Sequence, residues 1–309
     1  MSDYHDMVLE DGDEPCSCCK LTMWIPVLVA YVSILHLLRF QRVRSMELMD
    51  VKADPSAVYR KTAMLEFPFM VTKALEFALF RTYGVPSISK LLHKTGEFST
   101  RVGKRYDDTD LLLREYSENS PDTVRSKDAM DRVNAIHGMY AKQISNADML
   151  FTLSLFVTEP AAWIDRYEWR RCSSIEKEAL LGHFSIMGER MGIKGVRDWK
   201  TWDDADAFQR EYEARHFRPH ASNHSIANST VELFLSIAPS PLRSAGRWAV
   251  YALMDAPLLK AMDLPHAPAL VRWAVKGCLL LRAMVLRFLV PPRPEFLESR
   301  RTAYPPDSS

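Results

Sequence analysis

The sequence predicts an all-α protein: a multi-helix body preceded by an N-terminal helix of membrane-anchor length. Leu, Ala, Met, Glu, Arg and Lys dominate, Gly is sparse at 11 residues, and β-branched runs are few. That is the composition of helices rather than sheets. From Ala57 onward apolar residues recur three and four apart in segment after segment, and no run alternates apolar with polar long enough to make a sheet. The stretch Leu21 to Leu38 contains no Asp, Glu, Lys or Arg. At about 1.5 Å per residue it reaches roughly 27 Å, close to the thickness of a thin bilayer core.

At 309 residues the chain can bury a large core. Its 40 basic and 39 acidic residues leave no net basic surface, which argues against nucleic acid as the main partner. Three of its five cysteines, Cys16, Cys18 and Cys19, crowd the N-terminus. Cys172 and Cys278 stand alone in helical sequence, so no disulfide framework is visible and the body suits a reducing compartment.

Residues 1–20 are acidic and read as disordered. The apolar run that follows has Trp24 and Tyr31 as amphipathic residues and Arg39, Arg42 and Arg44 directly behind it. Pro26, Ser33 and His36 weaken it as a spanner and leave a buried core helix as the alternative. The run lacks the cleavage site of a signal peptide. The arginines place its far side in the cytosol and the N-terminus in the lumen.

Helices are expected over Phe67 to Tyr83, closed by Gly84-Val85-Pro86; Ser87 to Lys94, closed by Gly96; and Arg101 to Ser117. Asn119-Ser120-Pro121-Asp122 is a turn, and Ser126 to Ser145 is a helix. Asn146 to Val157 is nearly apolar and predicts a helix buried on all sides. Pro160 predicts the first turn of a separate helix reaching Arg171. Ser173-Ser174-Ile175-Glu176 is a capping box for a helix to about Met191. Asp203 to His216, Ser222 to Ala238 and Pro241 to Met254 complete a body spanning 55–265. Ala267 to Val290 is apolar but carries Arg272, Lys276, Arg282 and Arg287. It reads equally as a membrane-interfacial helix or as a helix docked on the core. Residues 291–309 open with Pro291-Pro292-Arg293-Pro294 and read as an unstructured tail.

Four groups of residues are candidates for chemistry. Met130, Val133, His137, Tyr140 and Ile144 share one helix side by their spacing, which puts an imidazole on an apolar face. Such a histidine is either a hydrogen-bonded core residue or a ligand for something the core encloses. One axial histidine suffices for heme, where zinc needs three or four ligands. Arg105 and Thr109 lie four apart: a guanidinium that can grip a carboxylate and a hydroxyl that can bond to oxygen or water, or else part of a solvated turn. His216, His220 and His224 have the spacing of a metal face, although Pro219 interrupts it. The Cys16-Ser17-Cys18-Cys19 cluster suits a metal clip or palmitoylation. No phosphate loop, dinucleotide fingerprint or Gly-x-Ser-x-Gly occurs.

Arg132-Val-Asn-Ala-Ile-His137-Gly resembles the histidine helix of the rubber oxygenase (latex-clearing protein) catalytic domain. It is closer still to that of fungal ER-bound oxygenases of the mycophenolic acid type, the MpaB family. Ile144 to Leu150, Trp163 to Arg170 and Met187 to Ile193 continue the resemblance in order, and Lys104 to Thr109 resembles the family's Arg-x3-Thr segment. The resemblance implies a globin-like all-α domain enclosing a b-type heme. His137 would then be the iron ligand, with Arg105 on a propionate or on bound oxygen and Thr109 positioning oxygen. Asp108 stands where the rubber-cleaving branch can place a Lys, so no distal Lys ligation is implied. The implied activity is oxidative cleavage of a carbon–carbon double bond in an apolar, prenylated substrate. The implied location is the ER membrane, single-pass, with membrane lipid as a partner. Two alternatives stay open: a non-catalytic, membrane-tethered protein that binds isoprenoids or a pathway partner, and a non-heme metal oxygenase using the three histidines.

Overall fold

In the computed structural model, which describes residues 17–299, helix α1 (Ser17–Glu47) leads into α2 (Pro55–Arg60), a π-helical segment (Lys61–Glu66) and α3 (Pro68–Arg81). After a 3-10 turn (Thr82–Gly84) come α4 (Pro86–Lys94), α5 (Glu97–Thr100), α6 (Val102–Ser117), α7 (Val124–Gly138), α8 (Asn146–Tyr167) and α9 (Ser174–Arg190). Then follow α10 (Trp202–His216), α11 (Ala221–Ser236), α12 (Arg243–Leu253), α13 (Ala256–Met262) and α14 (Ala269–Leu289). No strand occurs among the described residues, so the all-α expectation holds. The cysteine cluster at 16–19 lies outside the described side chains.

The middle of the fold is α8 packed against α3, α9 and α10. Phe151, Leu155, Val157, Ala161 and Ile164 of α8 are fully enclosed, as the apolar run from Asn146 predicts. The expected break at Pro160 does not occur: α8 is one helix of 22 residues with the proline inside it. Proline costs a helix interior a hydrogen bond and a steric clash. Here both flanks are clamped in the core, where burial of large side chains outweighs that local cost.

Local signals place the other elements well. Ser173 and Glu176 form the reciprocal capping box that opens α9, and Thr201 with Asp204 does the same for α10. Three features depart from expectation. The segment Lys61–Glu66 is π-helical. The histidine helix α7 ends at Gly138 rather than near Ser145, so Tyr140 and Ile144 lie in the turn beyond it. Gly138 is a poor helix former, and Ser145 caps the next helix, so the chain turns between them. Helix α1 starts before Leu21 and continues to Glu47, so residues 17–20, expected to be disordered, are helical.

Along α1 the apolar side chains from Trp24 to Leu38 are mostly exposed, whereas Arg39 and Met46 are buried in the body. The apolar stretch is therefore not a core helix. It is long and apolar enough to cross a membrane.

Candidate active site

A cavity of about 320 Å³ lies between α3, α4, α6, the end of α7, the start of α8 and α11. That volume is within the range of small-molecule and cofactor sites. Helix α6 forms one long wall. Arg105, Thr109 and Leu113 face the cavity at intervals of four, joined by Tyr106, Asp110, Arg114 and Ser117. His137 and Ile136 enter from the last turn of α7, and Tyr140 and Ile144 from the turn after it. The structure thus brings His137, Arg105 and Thr109 to one cavity.

The Nδ1 atom of His137 is buried without a hydrogen-bond partner. Burial, and then the Arg105 charge, push its pKa below the ordinary histidine value. The ring is therefore a neutral base at pH 7, the form that ligates metals. Arg105 itself has no carboxylate at ion-pair distance among the described residues, although its neighbours on α6 are mostly paired. The Thr109 hydroxyl donates to the Arg105 carbonyl at 2.8 Å, so it presents lone pairs to the cavity. Asp108 points away, paired with Lys104 at 2.6 Å on the exposed side of α6.

The turn behind His137 is anchored by Asp148 of α8. Its carboxylate accepts from Ser87 of α4 at 2.8 Å, from Tyr212 of α10 at 2.7 Å and from the capping Ser145 at 2.7 Å. Three elements therefore fix where the histidine turn can lie.

The other end of the cavity is polar in a way the sequence did not reveal. Arg114 pairs with Asp110 at 2.5 Å and lies 3.9 Å from Glu118 and 4.0 Å from Glu76 of α3. Tyr106 lies beside Glu76 and Asp110; burial first, then those carboxylates, hold its phenol protonated. Nine residues of helix separate Arg105 from Arg114, roughly 13 Å along the wall. Leu75, Leu79, Leu113 and Met149 lie among the cavity's apolar lining.

A family model described as "ER-bound oxygenase mpaB/B'/Rubber oxygenase, catalytic domain" matches residues 78–287. The chain belongs to this family. It is 36% identical over 93% of its length to ER-bound oxygenase mpaB' of Penicillium brevicompactum, covering 74% of that protein. It is 35% identical over 77% of its length to ER-bound oxygenase mpaB of Penicillium roqueforti, covering 88%. To mpaB of Penicillium brevicompactum it is 32% identical over 93% of its length, covering 74%. The match spans α6 to α14 almost entirely and includes Arg105, Thr109 and His137.

In this oxygenase-family chain His216, His220 and His224 are helix-end and loop histidines, and the alternative metal face does not form. His216 stacks on Tyr212 with ring centroids 4.1 Å apart. His220 caps α11, its Nδ1 2.7 Å from the Ser222 hydroxyl and accepting from the Ser222 backbone N–H. His224 is turned to the carbonyls of Met262 and Asp263, its Nδ1 3.1 Å from the first. Each ring serves a different neighbour, because Pro219 breaks the helical spacing that would have aligned them. No cluster of three metal-ligating side chains occurs among the described residues.

A single-histidine heme site asks for less: one unpaired imidazole beside open space, a cation for a propionate, and apolar walls. His137 brings an imidazole to the cavity wall, Arg105 the cation, and the leucines of α3 and α6 the apolar walls. The donor set fits a b-type heme.

Proposed function

We propose that this chain is a heme-dependent oxygenase of the ER membrane. It would cleave a carbon–carbon double bond of an apolar, prenylated small molecule to carbonyl products. The observation that carries the reading is the half-buried imidazole of His137, its Nδ1 without a partner, beside an Arg105 with no ion-pair partner among the described residues, in a largely apolar cavity.

His137 would hold the iron, and burial, then the Arg105 charge, favour the neutral ring that ligates metal. Arg105 would pair with a propionate or donate to oxygen, and Thr109 would position oxygen by turning its hydroxyl from the Arg105 carbonyl to donate. When bound, the heme supplies the O2 chemistry. Each alkene carbon gains one oxygen atom of a single O2, so the balance needs no external reductant. The chain's own contribution is orientation and exclusion of water, with Leu75, Leu79, Leu113 and Met149 presenting an apolar surface to an apolar chain. The names of the relatives and the exposed apolar stretch of α1 support an ER-membrane location. An isoprenoid chain partitions into lipid at about 0.8 kcal/mol per CH₂, so a membrane-bound enzyme meets it at high local concentration.

The test is the optical spectrum and iron content of detergent-extracted protein. A Soret band with stoichiometric iron is expected, and both are lost in His137→Ala. Active protein free of iron would overturn the reading. Colourless protein that binds isoprenoids without consuming O2 would establish the non-catalytic alternative.

A further inference from the structure

Helix α14 is built inside out for a helix on a water-facing surface. Its body side carries Ala283, which is buried, Leu279 and Leu286, which pack on the core, and Arg282, which pairs with Glu168 at 2.8 Å. The opposite side carries Leu270, Trp273, Leu281, Met284 and Phe288, all exposed, Leu270 by 80% and Trp273 by 71%. Their spacing of three, eight, three and four residues makes one continuous stripe. Lys276 and Arg287 are also exposed and line one margin of it. A helix docked on a soluble core shows its polar side to water; this one shows a stripe of Leu, Met, Phe and Trp.

The end of α14 is tied to the exposed apolar part of α1. The Tyr31 hydroxyl donates to the Leu289 carbonyl at 2.8 Å, and Arg39 donates to the carbonyls of Leu286 and Val290. Wherever α1 enters a bilayer, the last turn of α14 lies at that level.

We infer that the outward stripe of α14 is a second membrane contact, seated at the boundary between headgroups and acyl chains of an anionic leaflet. Lys276 and Arg287 engage lipid phosphates there. The occupant is lipid rather than protein because the stripe is continuous with the apolar surface of α1 and is edged by cations that match phosphate. The inference rests on the membrane-bound reading above in one respect, that α1 carries the end of α14 to the bilayer.

The full chain is reconstituted in phosphatidylcholine–phosphatidylserine vesicles, with and without brominated acyl chains. One environment-sensitive fluorophore is placed in turn at Leu28→Cys, Leu281→Cys, Phe288→Cys or Val124→Cys. In this background Cys16, Cys18, Cys19 and Cys278 are replaced by Ser, and the buried Cys172 is kept. The expected result is a blue shift and loss of emission on bromination at 28, 281 and 288, with neither at 124, an exposed position on the body. Quenching at 28 without quenching at 281 and 288 overturns this inference and leaves α1 as an anchor. Quenching at none of the three overturns both. A blue shift at 281 and 288 that bromination does not quench, with energy transfer between labelled copies, would make the stripe a contact between two copies instead.

Discussion

Arg105 and His137 reach the same cavity from two helices; after burial itself, the Arg105 charge is what holds the imidazole below its ordinary basicity. The Nδ1 of His137 has no hydrogen-bond partner, and Arg105 has no ion-pair partner among the described residues. A cation and a neutral base facing one void suit a ligand carrying an acid at one place and a metal at another.

Removing the charge has a direct readout. Arg105→Gln should raise the His137 pKa toward the ordinary histidine value without reaching it, because burial is the larger cause and remains. Imidazole NMR shifts of the heme-free protein followed against pH would measure it. An unchanged titration would show that the guanidinium does not reach the ring.

Two glycines separate packing from backbone freedom. A Cβ on Gly182 would stand 2.6 Å from Pro55 Cβ, and a proline ring cannot rotate away. Gly182→Ala should cost about 1–3 kcal/mol through overpacking between α2 and α9. Gly138, beside the site histidine, has nothing within 4 Å of a built Cβ. Gly138→Ala should leave stability unchanged or raise it by about 0.4–1 kcal/mol through the unfolded chain. Urea midpoints compare the two, and equal effects would refute the steric account.

The sequence reveals local signals and misses what tertiary contact decides. The Ser173–Glu176 box and the Pro86 and Gly96 boundaries are legible because their causes lie within a few residues. Pro160 misleads because its clash is local while the burial that overrides it comes from α3, α9 and α10. The π-helical turn at Lys61–Glu66 has no residue signature. Spacing alone leaves Arg105, Thr109 and His137 open to bland readings; the family resemblance singles them out, and the structure brings them to one cavity. The Glu76–Arg114 end was not legible, because nothing in α3 or α6 alone states that they face one another. Arg114 does share the wall of Arg105 at a helical interval, the one available hint.

His183, overlooked in the sequence, should govern acid stability. It is fully buried, stacked on Tyr59 at 4.0 Å with Nδ1 2.9 Å from the Ser56 hydroxyl, and burial pushes its pKa down to about 3. Unfolded, it titrates near its ordinary value of about 6.5. Between these values the unfolded chain holds the extra proton. Its stabilising effect is complete above that ordinary value and is lost as pH falls toward the folded one, on the order of 5 kcal/mol across the whole window. His183→Gln, which can keep the Ser56 bond, should flatten the dependence of the urea midpoint on pH in that window. An unaltered slope would assign acid sensitivity elsewhere.

Arg81 is the hub of a buried ion network away from the cavity. It bonds Glu213 in bidentate fashion at 2.5 and 2.7 Å, Asp255 at 2.7 Å, and lies 3.5 Å from Glu159. Arg81→Met strands carboxylates in the core and should cost about 3–5 kcal/mol. Adding Glu213→Gln should recover part of that loss, since one uncompensated charge is removed. A double variant no more stable than the single one would show that the network is held by hydrogen bonding alone.

The chain after α14 forms a strap over one edge of the cavity. Arg42 of α1 donates to Glu66 at 2.7 Å and also to the Arg293 carbonyl, Lys61 lies 3.4 Å from Glu295, and the Ser299 amide donates to the Met64 carbonyl at 3.1 Å. Ser299 and Met64 both line the cavity. Arg42 therefore couples the C-terminal part of α1 to the π-helical turn and to the strap. Lys61–Glu295 is exposed and contributes little on its own. Arg42→Ala should make amides of residues 290–299 exchange several-fold faster, a change of about 1 kcal/mol in local opening. Exchange in α7 should stay constant, because Asp148 and Ser145 fix the histidine turn independently. Hydrogen exchange read by mass spectrometry on the two peptides distinguishes a strap held by Arg42 from one held by its own backbone bond to Met64, for which neither peptide would change.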